Sequence, residues 1–193
     1  MCGVVGIFNT VDSLSDTHKS ELILARDRMI NRGPDFGGSF LNKSIGLGHR
    51  RLSIIDVSSN SNQPLCSNDG TLIIVFNGEI YNYLDLKKNK FSNTEIFKTN
   101  GDTEIVLKLY EKYGSKVVNY LRGMFAFAIY DTKKSELFIA RDHFGIKPIY
   151  YCFHNDIFYF SSQVKSLKEF KDIPDNISSA GLVGYYLMGS VPE

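Results

Sequence analysis

Between positions 124 and 161 the sequence sets four aromatic-rich apolar runs, 124–131, 136–142, 149–153 and 157–161. The first and second are joined by Thr132-Lys133-Lys134-Ser135, the third and fourth by His154-Asn155-Asp156. A crossover between parallel strands needs a dozen or more residues, whereas antiparallel strands close through a tight turn. These runs therefore predict antiparallel hairpins, and any fold for the chain must accommodate them.

The rest of the chain alternates strand-like and helical stretches. Residues 3–8 (GVVGIF) form a β-branched apolar run, read as a buried strand. Leu22, Ala25, Arg26, Met29 and Ile30 fall at helical spacing, and Gly33-Pro34 is expected to stop that helix. Two short strands, 38–41 and 45–49, follow across an Asn-Lys-Ser turn, and 71–76 (TLIIVF) is a further apolar strand. A short helix is predicted from Leu84. A clear one opens at Asn100-Gly101-Asp102, with Ile105, Val106, Leu109, Tyr110 and Tyr113 on one face and Gly114 as its stop. Asp102 or Thr103 is its expected N-cap. A short helix over 117–121 and an amphipathic helix over 178–187 complete the pattern, and the terminal Ser190-Val191-Pro192-Glu193 reads as a linker.

A length of 193 residues suits one domain with a sizeable core. The net charge of +1 gives no electrostatic case for nucleic acid or a membrane surface. Cys2, Cys66 and Cys152 are odd in number and widely spaced. That is neither a disulfide framework nor a zinc pattern, and it suits a reducing compartment. No apolar stretch reaches the ~18 residues a spanning helix needs. The first residues lack the pattern of a signal peptide. A soluble cytoplasmic chain is expected, without metal site or glycine-rich phosphate loop.

The chemistry-bearing candidates are scattered. Removing Met1 would leave Cys2 carrying both a thiol and a free α-amine, a nucleophile with its own base. Asn77-Gly78 reads locally as a tight turn needing positive φ. It also offers a side-chain amide beside a backbone N–H, a donor pair for a developing oxyanion. Arg50 and Arg51 are neighbours on a strand and point to opposite faces, so one is expected in solvent and the other in a cleft, where it needs a carboxylate partner. Arg32 and Asp35 are read as a local structural pair, His49 as a satisfied structural histidine, and Arg141 and Asp142 as groups that fix their loop by ion pairs and turns. Together, a thiol with its amine, an oxyanion pair, an arginine for a carboxylate and Asp102 for an ammonium describe a site for an α-amino acid with a reactive side-chain carbonyl. Glutamine is such a molecule.

The strings Met1-Cys2-Gly3, Arg32-Gly33-Pro34-Asp35, Arg51-Leu52-Ser53-Ile54-Ile55-Asp56, Asn77-Gly78-Glu79-Ile80-Tyr81-Asn82 and Gly101-Asp102-Thr103-Glu104 occur in that order. Arg122-Gly123-Met124-Phe125-Ala126-Phe127 and Ala140-Arg141-Asp142-His143-Phe144-Gly145-Ile146-Lys147-Pro148 follow them. With these strings the chain resembles the glutaminase domain of the asparagine synthetases, class II glutamine amidotransferases of the N-terminal-nucleophile hydrolase type. The resemblance spans nearly the whole chain.

It implies an α+β fold, a four-layer αββα sandwich of two antiparallel sheets, as one glutamine amidotransferase type 2 domain over 1–193. It implies that Cys2 attacks the side-chain amide of L-glutamine, that the resulting thioester is hydrolysed to glutamate, and that ammonia is released. By the resemblance, Asn77 and Gly78 form the oxyanion hole. Arg51 binds the substrate carboxylate, Asp102 its amino group, and Leu52, Ser53, Ile54, Ile55 and Glu79 line the pocket. Arg50 stands where many relatives carry a different polar residue and receives no role. No cofactor or metal is implied for this chain. ATP and Mg belong to a C-terminal synthetase domain, expected as a missing part of a longer protein or as a separate subunit partner. A homodimer stays open. Two alternatives also stay open: a non-catalytic glutamine-binding or assembly module, and a glutaminase serving a non-aspartate acceptor in sugar amidation or lactam formation.

Overall fold

The computed structural model describes residues 1–92 and 94–189, so the linker expected at 190–193 lies outside the described residues. Among the described residues nine strands form two wholly antiparallel sheets. The first contains β1 (Gly3–Asn9), β2 (Phe36–Leu41), β3 (Ile45–Arg51), β8 (Tyr150–His154) and β9 (Ile157–Ser161), in the order β2-β3-β1-β9-β8. The second contains β4 (Leu65–Cys66), β5 (Leu72–Ile80), β6 (Gly123–Asp131) and β7 (Glu136–Arg141), in the order β4-β5-β6-β7. The two predicted hairpins are β6–β7 and β8–β9. The chain changes sheets between them.

Three apolar clusters show the layering. Val5, Ile7 and Tyr159 face α1 (Asp16–Asp27), where they meet Leu22, Ala25 and Met29. Val4, Leu47, Val75, Ala128, Tyr130 and Phe160 fill the space between the sheets. Ile74, Phe76, Phe125 and Phe127 face α3 (Asp102–Tyr113) and meet Ile105, Val106 and Leu109. Helix α2 (Tyr83–Lys90) contributes Leu86 to the same cluster. Successive strand residues point to opposite faces, and each strand divides its apolar residues between two layers accordingly. This is the αββα sandwich expected from the resemblance.

Several local expectations need correction. Helix α1 starts as a capping box, with Ser15 Oγ accepting the His18 N–H at 3.1 Å and His18 Nδ1 accepting the Ser15 N–H at 3.3 Å. It stops at Asp27, well before Gly33. The chain then tightens, with Met29 N–H donating to Arg26 O and Arg32 N–H to Met29 O. That tightening keeps Met29 in the core and leaves Ile30 half-exposed. Gly33 packs against β3, where an added Cβ would sit 2.3 Å from the Arg50 carbonyl.

The N-cap of α3 is Gly101, not Asp102 or Thr103, and no side chain caps the helix. The stretch predicted helical at 117–121 is a 3-10 helix, Gly114–Tyr120. The last helix, α5 (Ser179–Met188), follows a short α4 (Val164–Leu167) that is not among the helices expected from the sequence. Helix α5 leaves Val183, Tyr186 and Leu187 exposed and buries only Gly184 among its described residues, so it does not use a buried apolar face. Among the described residues no helix is long and apolar enough to cross a membrane.

Candidate functional site

The site lies where the inter-sheet layer ends. Cys2 continues the face of β1 that carries Val4. Arg51 continues the face of β3 that carries Ile45, Leu47 and His49. Asn77 continues the face of β5 that carries Ile73 and Val75. Antiparallel pairing sets Gly3 opposite Arg50, which brings the start of β1 to the end of β3. A pocket of about 190 Å³ results. That is below the ~300–1,000 Å³ typical of drug-sized ligands, so the site suits a small molecule. Cys2, Arg51, Leu52, Ile54, Ile55, Asn77, Gly78, Glu79 and Asp102 all line it. Ser53 does not; its N–H donates to Asp35 Oδ2 at 2.7 Å.

Cys2 Sγ lies 3.5 Å from Leu52 N and 3.6 Å from Leu52 O. Burial pushes its thiol above the ordinary value, while the Leu52 hydrogen bond, the N-terminal amine and Arg51 pull the other way. The resting group is thus a thiol that needs a base. Arg32 and Asp35 do not pair with each other. Arg32 Nε donates to Cys2 O at 3.0 Å, and Asp35 Oδ2 accepts the Ser53 N–H, so each fixes a main-chain group at or next to a pocket residue.

Asn77 and Gly78 do not form a turn. They lie in β5 opposite Ala126 and Phe125, because the apolar strand runs on to Ile80 and never reverses there. Gly78 is needed for close approach and not for positive φ: a Cβ there would meet Met124 O at 2.4 Å. Asn77 is 1% exposed, and its Nδ2 has no hydrogen-bond partner among the described residues. A buried unpartnered donor costs about 1–3 kcal/mol, so this amide is held ready for an acceptor that the protein itself does not supply.

Both arginines are buried, against the expectation that one meets solvent. Arg50 donates to Gly33 O at 2.9 Å and pairs with Asp27 at 3.4 Å on the α1 side. Arg51 Nη1 donates to Ser58 O at 2.8 Å and to Asn62 Oδ1 at 2.9 Å, and its Nη2 donates to Asp56 O. Three of its five N–H donors are thereby engaged. Among the described residues no carboxylate lies within ion-pair distance of it.

Asp102 carries the opposite deficit. Its Oδ2 accepts the Ile80 N–H at 2.9 Å, which ties α3 to β5. No cation pairs with it among the described residues, and burial pushes its carboxyl up to about 6. A buried guanidinium without a carboxylate and a buried carboxylate without a cation thus line one pocket. Such groups are costly unless an opposite charge arrives, and a zwitterion brings both.

His49 is structural but only half satisfied, against the expectation, since its buried Nδ1 has no hydrogen-bond partner among the described residues. Its Nε2–H donates to Phe76 O at 3.0 Å across the sheets, and burial lowers its imidazole to about 4, so the ring is neutral. Asp142 accepts four amides, those of Phe125, Phe144, Ile146 and Lys147, at 2.9–3.2 Å. Arg141 donates to Lys147 O and Gly145 O and makes no ion pair among the described residues. That loop delivers Lys147 to the pocket, its Nζ 3.3 Å from Met1 Sδ. Lys147, Gln63 and Met124 also line the site without having been singled out in the sequence. Gln63 could not have been: it lies in the polar stretch 57–70, which has no periodicity to follow.

Comparison with known proteins bears on the family and the fold. The family model described as "Glutamine amidotransferase domain" matches residues 1–193. Asparagine synthetase [glutamine-hydrolyzing] 1 of Bacillus subtilis is 47% identical over 168 residues, covering 86% of this chain and 26% of that protein. Asparagine synthetase B [glutamine-hydrolyzing] of Escherichia coli is 38% identical over 169 residues, covering 86% of this chain and 30% of that protein. The chain therefore spans less than a third of the length of these two relatives. Among solved structures, the glutamine phosphoribosylpyrophosphate amidotransferase of B. subtilis superposes with a TM-score of 0.71 at 21% identity, covering 86% of this chain and 43% of that one. At that identity the likeness concerns the fold.

Proposed function

The chain belongs to the glutamine amidotransferase domain family, and on that premise we propose that it hydrolyses L-glutamine and supplies ammonia to an amidating partner of the asparagine synthetase kind. One observation carries this reading. A thiol, an unpartnered amide donor, a carboxylate-free arginine and a cation-free aspartate meet in one small pocket.

In this reading Arg51 holds the substrate carboxylate through its remaining donors and Asp102 holds the ammonium. The Cys2 α-amine, free once Met1 is removed, takes the thiol proton as Sγ attacks the side-chain carbonyl carbon. Asn77 Nδ2 and the Gly78 N–H receive the oxyanion. The amine returns the proton to the departing nitrogen, ammonia leaves, and a thioester remains. Water, deprotonated by the same amine, hydrolyses the thioester to glutamate and restores the thiol. Leu52, Ile54, Ile55 and Glu79 shape the walls. No metal or cofactor enters these steps; ATP and Mg act in the amidating half. The synthetase partner, aspartate as the acceptor and a cytoplasmic setting belong to the same reading.

Met1 lines the pocket, so its removal both frees the base and clears space. The test is glutamate release from glutamine by protein whose intact mass shows Met1 gone. Turnover is expected, and Cys2→Ala is expected to abolish it while still binding glutamine. No turnover from processed protein, or turnover in Cys2→Ala within about tenfold of wild type, would overturn the assignment.

A further inference from the structure

The two charged groups of the pocket sit on separate pieces of chain. Arg51 ends β3, and Asp102 opens α3. One residue bonds to both pieces. The main-chain carbonyl of Asp56 accepts from Arg51 Nη2. Its Oδ2 accepts the Asn100 N–H at 2.7 Å, two residues before Asp102. Its Oδ1 accepts the Ser58 N–H at 3.0 Å, and Ser58 O in turn accepts from Arg51 Nη1 at 2.8 Å.

Asp56 holds a left-handed backbone, φ 51°, which few residues other than glycine adopt and which Asn and Asp tolerate best. That conformation lets one residue's carbonyl serve the arginine while its carboxylate serves the segment leading into α3. Hydrogen bonds from Ser58 and Asn100 keep the carboxyl well below the usual carboxylate range, so it stays an acceptor for both. Asp56 does not itself line the pocket. Its effect on a ligand therefore passes through Arg51 and Asp102.

We propose that Asp56 is a positioning residue that sets the spacing between the Arg51 guanidinium and the Asp102 carboxylate, and so selects ligands carrying both an α-carboxylate and an α-ammonium. The proposal rests on the reading of this pocket as a glutamine site.

Asp56→Asn tests it, because Asn keeps the backbone conformation and one acceptor and loses the other. Ser58→Pro provides a second variant: Ser58 already has φ −68°, which proline accepts, and the change deletes both Ser58 donors to the Asp56 carboxylate, the N–H bound to Oδ1 and the hydroxyl. On Met1-free protein, kcat and KM are measured for glutamine. Binding is measured for glutaramate, which lacks the amine, and for 4-aminobutanamide, which lacks the carboxylate. Asp56→Asn is expected to raise KM about tenfold, the equivalent of one charged hydrogen bond, with kcat within about twofold. Each single-charge analogue uses one wall only, and its affinity is expected to change less than about twofold. Ser58→Pro is expected to move the same ratio in the same direction by roughly threefold. An unchanged KM in both variants, or an equal loss for all three ligands, overturns the proposal while leaving the glutamine reading intact. Wild-type protein that does not bind glutamine overturns both.

Discussion

The middle of the inter-sheet layer and its open end are built by the same strand faces. In the middle, Val4, Leu47, Val75, Ala128 and Phe160 are fully buried and apolar, and burial alone stabilises them. Toward the end, the same faces carry Cys2, Arg51 and Asn77. Arg51 is 4% exposed and Asn77 1%, as deeply buried as core, yet they leave donors unused. Burial is common to both regions, and completeness of pairing separates them. The middle is finished by the protein, whereas the end is finished only by a ligand.

Asn77→Ala removes a donor that no protein group uses, so turnover should drop by roughly 10²–10³ with the fold unharmed. Steady-state kinetics beside a thermal melt would check this. Unchanged turnover with a weakened KM would mean that Asn77 merely shapes the strand. Leu47→Ala, in the middle of the same layer, should do the reverse. It should cost about 2–5 kcal/mol of stability by denaturant titration and leave kcat per folded molecule unchanged. A kcat loss comparable to that of Asn77→Ala would erase the distinction between the two regions.

At Asp102 the open end of the layer responds to pH, which the apolar middle does not. The Asp102 carboxyl titrates at about 6 in the fold against about 3.9 in an unfolded chain. The folded state therefore holds this proton more tightly, and stability falls as pH rises from ~4 to ~6, with the full penalty present above that. Asp102→Asn removes the penalty and should stabilise the protein at pH 7 by ~1–3 kcal/mol, measured by denaturant titration, while weakening glutamine binding. Because a ligand ammonium needs the ionised carboxylate, glutamine affinity of Cys2→Ala protein should decline as pH drops through about 6. Calorimetric titration at two pH values would show it. An Asp102→Asn protein that is less stable at pH 7 would make Asp102 a structural cap and not a ligand group.

Much of the architecture was legible from local pattern. Short connections specified the β6–β7 and β8–β9 hairpins, and the apolar face of α3 specified the helix. Two Arg/Asp strings show where legibility stops. Arg141-Asp142 and the Arg51-to-Asp56 stretch each set an arginine before an aspartate at the end of an apolar run. The first closes on itself: Asp142 satisfies four amides and Arg141 two carbonyls of its own loop. The second leaves a guanidinium with free donors. Pairing depends on which atoms come within about 3 Å, and spacing along the chain does not report that. The same limit explains Asn77-Gly78. The dipeptide favours a turn in isolation, but β6 lies alongside it through Ala126 and Phe125 and keeps it extended.

The sequence alone therefore determined the strand and helix inventory apart from the short β4 and α4, the family strings and the residue types able to attack, stabilise an oxyanion and hold a zwitterion. Those follow from periodicity, turn chemistry and the intrinsic reactivity of side chains, all local properties. Only the tertiary structure decided which polar groups stay unpartnered. It made Arg50 a structural ion pair and Arg51 a pocket cation, turned Asp102 from a cap into a buried carboxylate, and brought Asp56 between the two walls. The physical reason is that desolvation and hydrogen-bond satisfaction are properties of a place in three dimensions, created when residues far apart in the chain exclude water together.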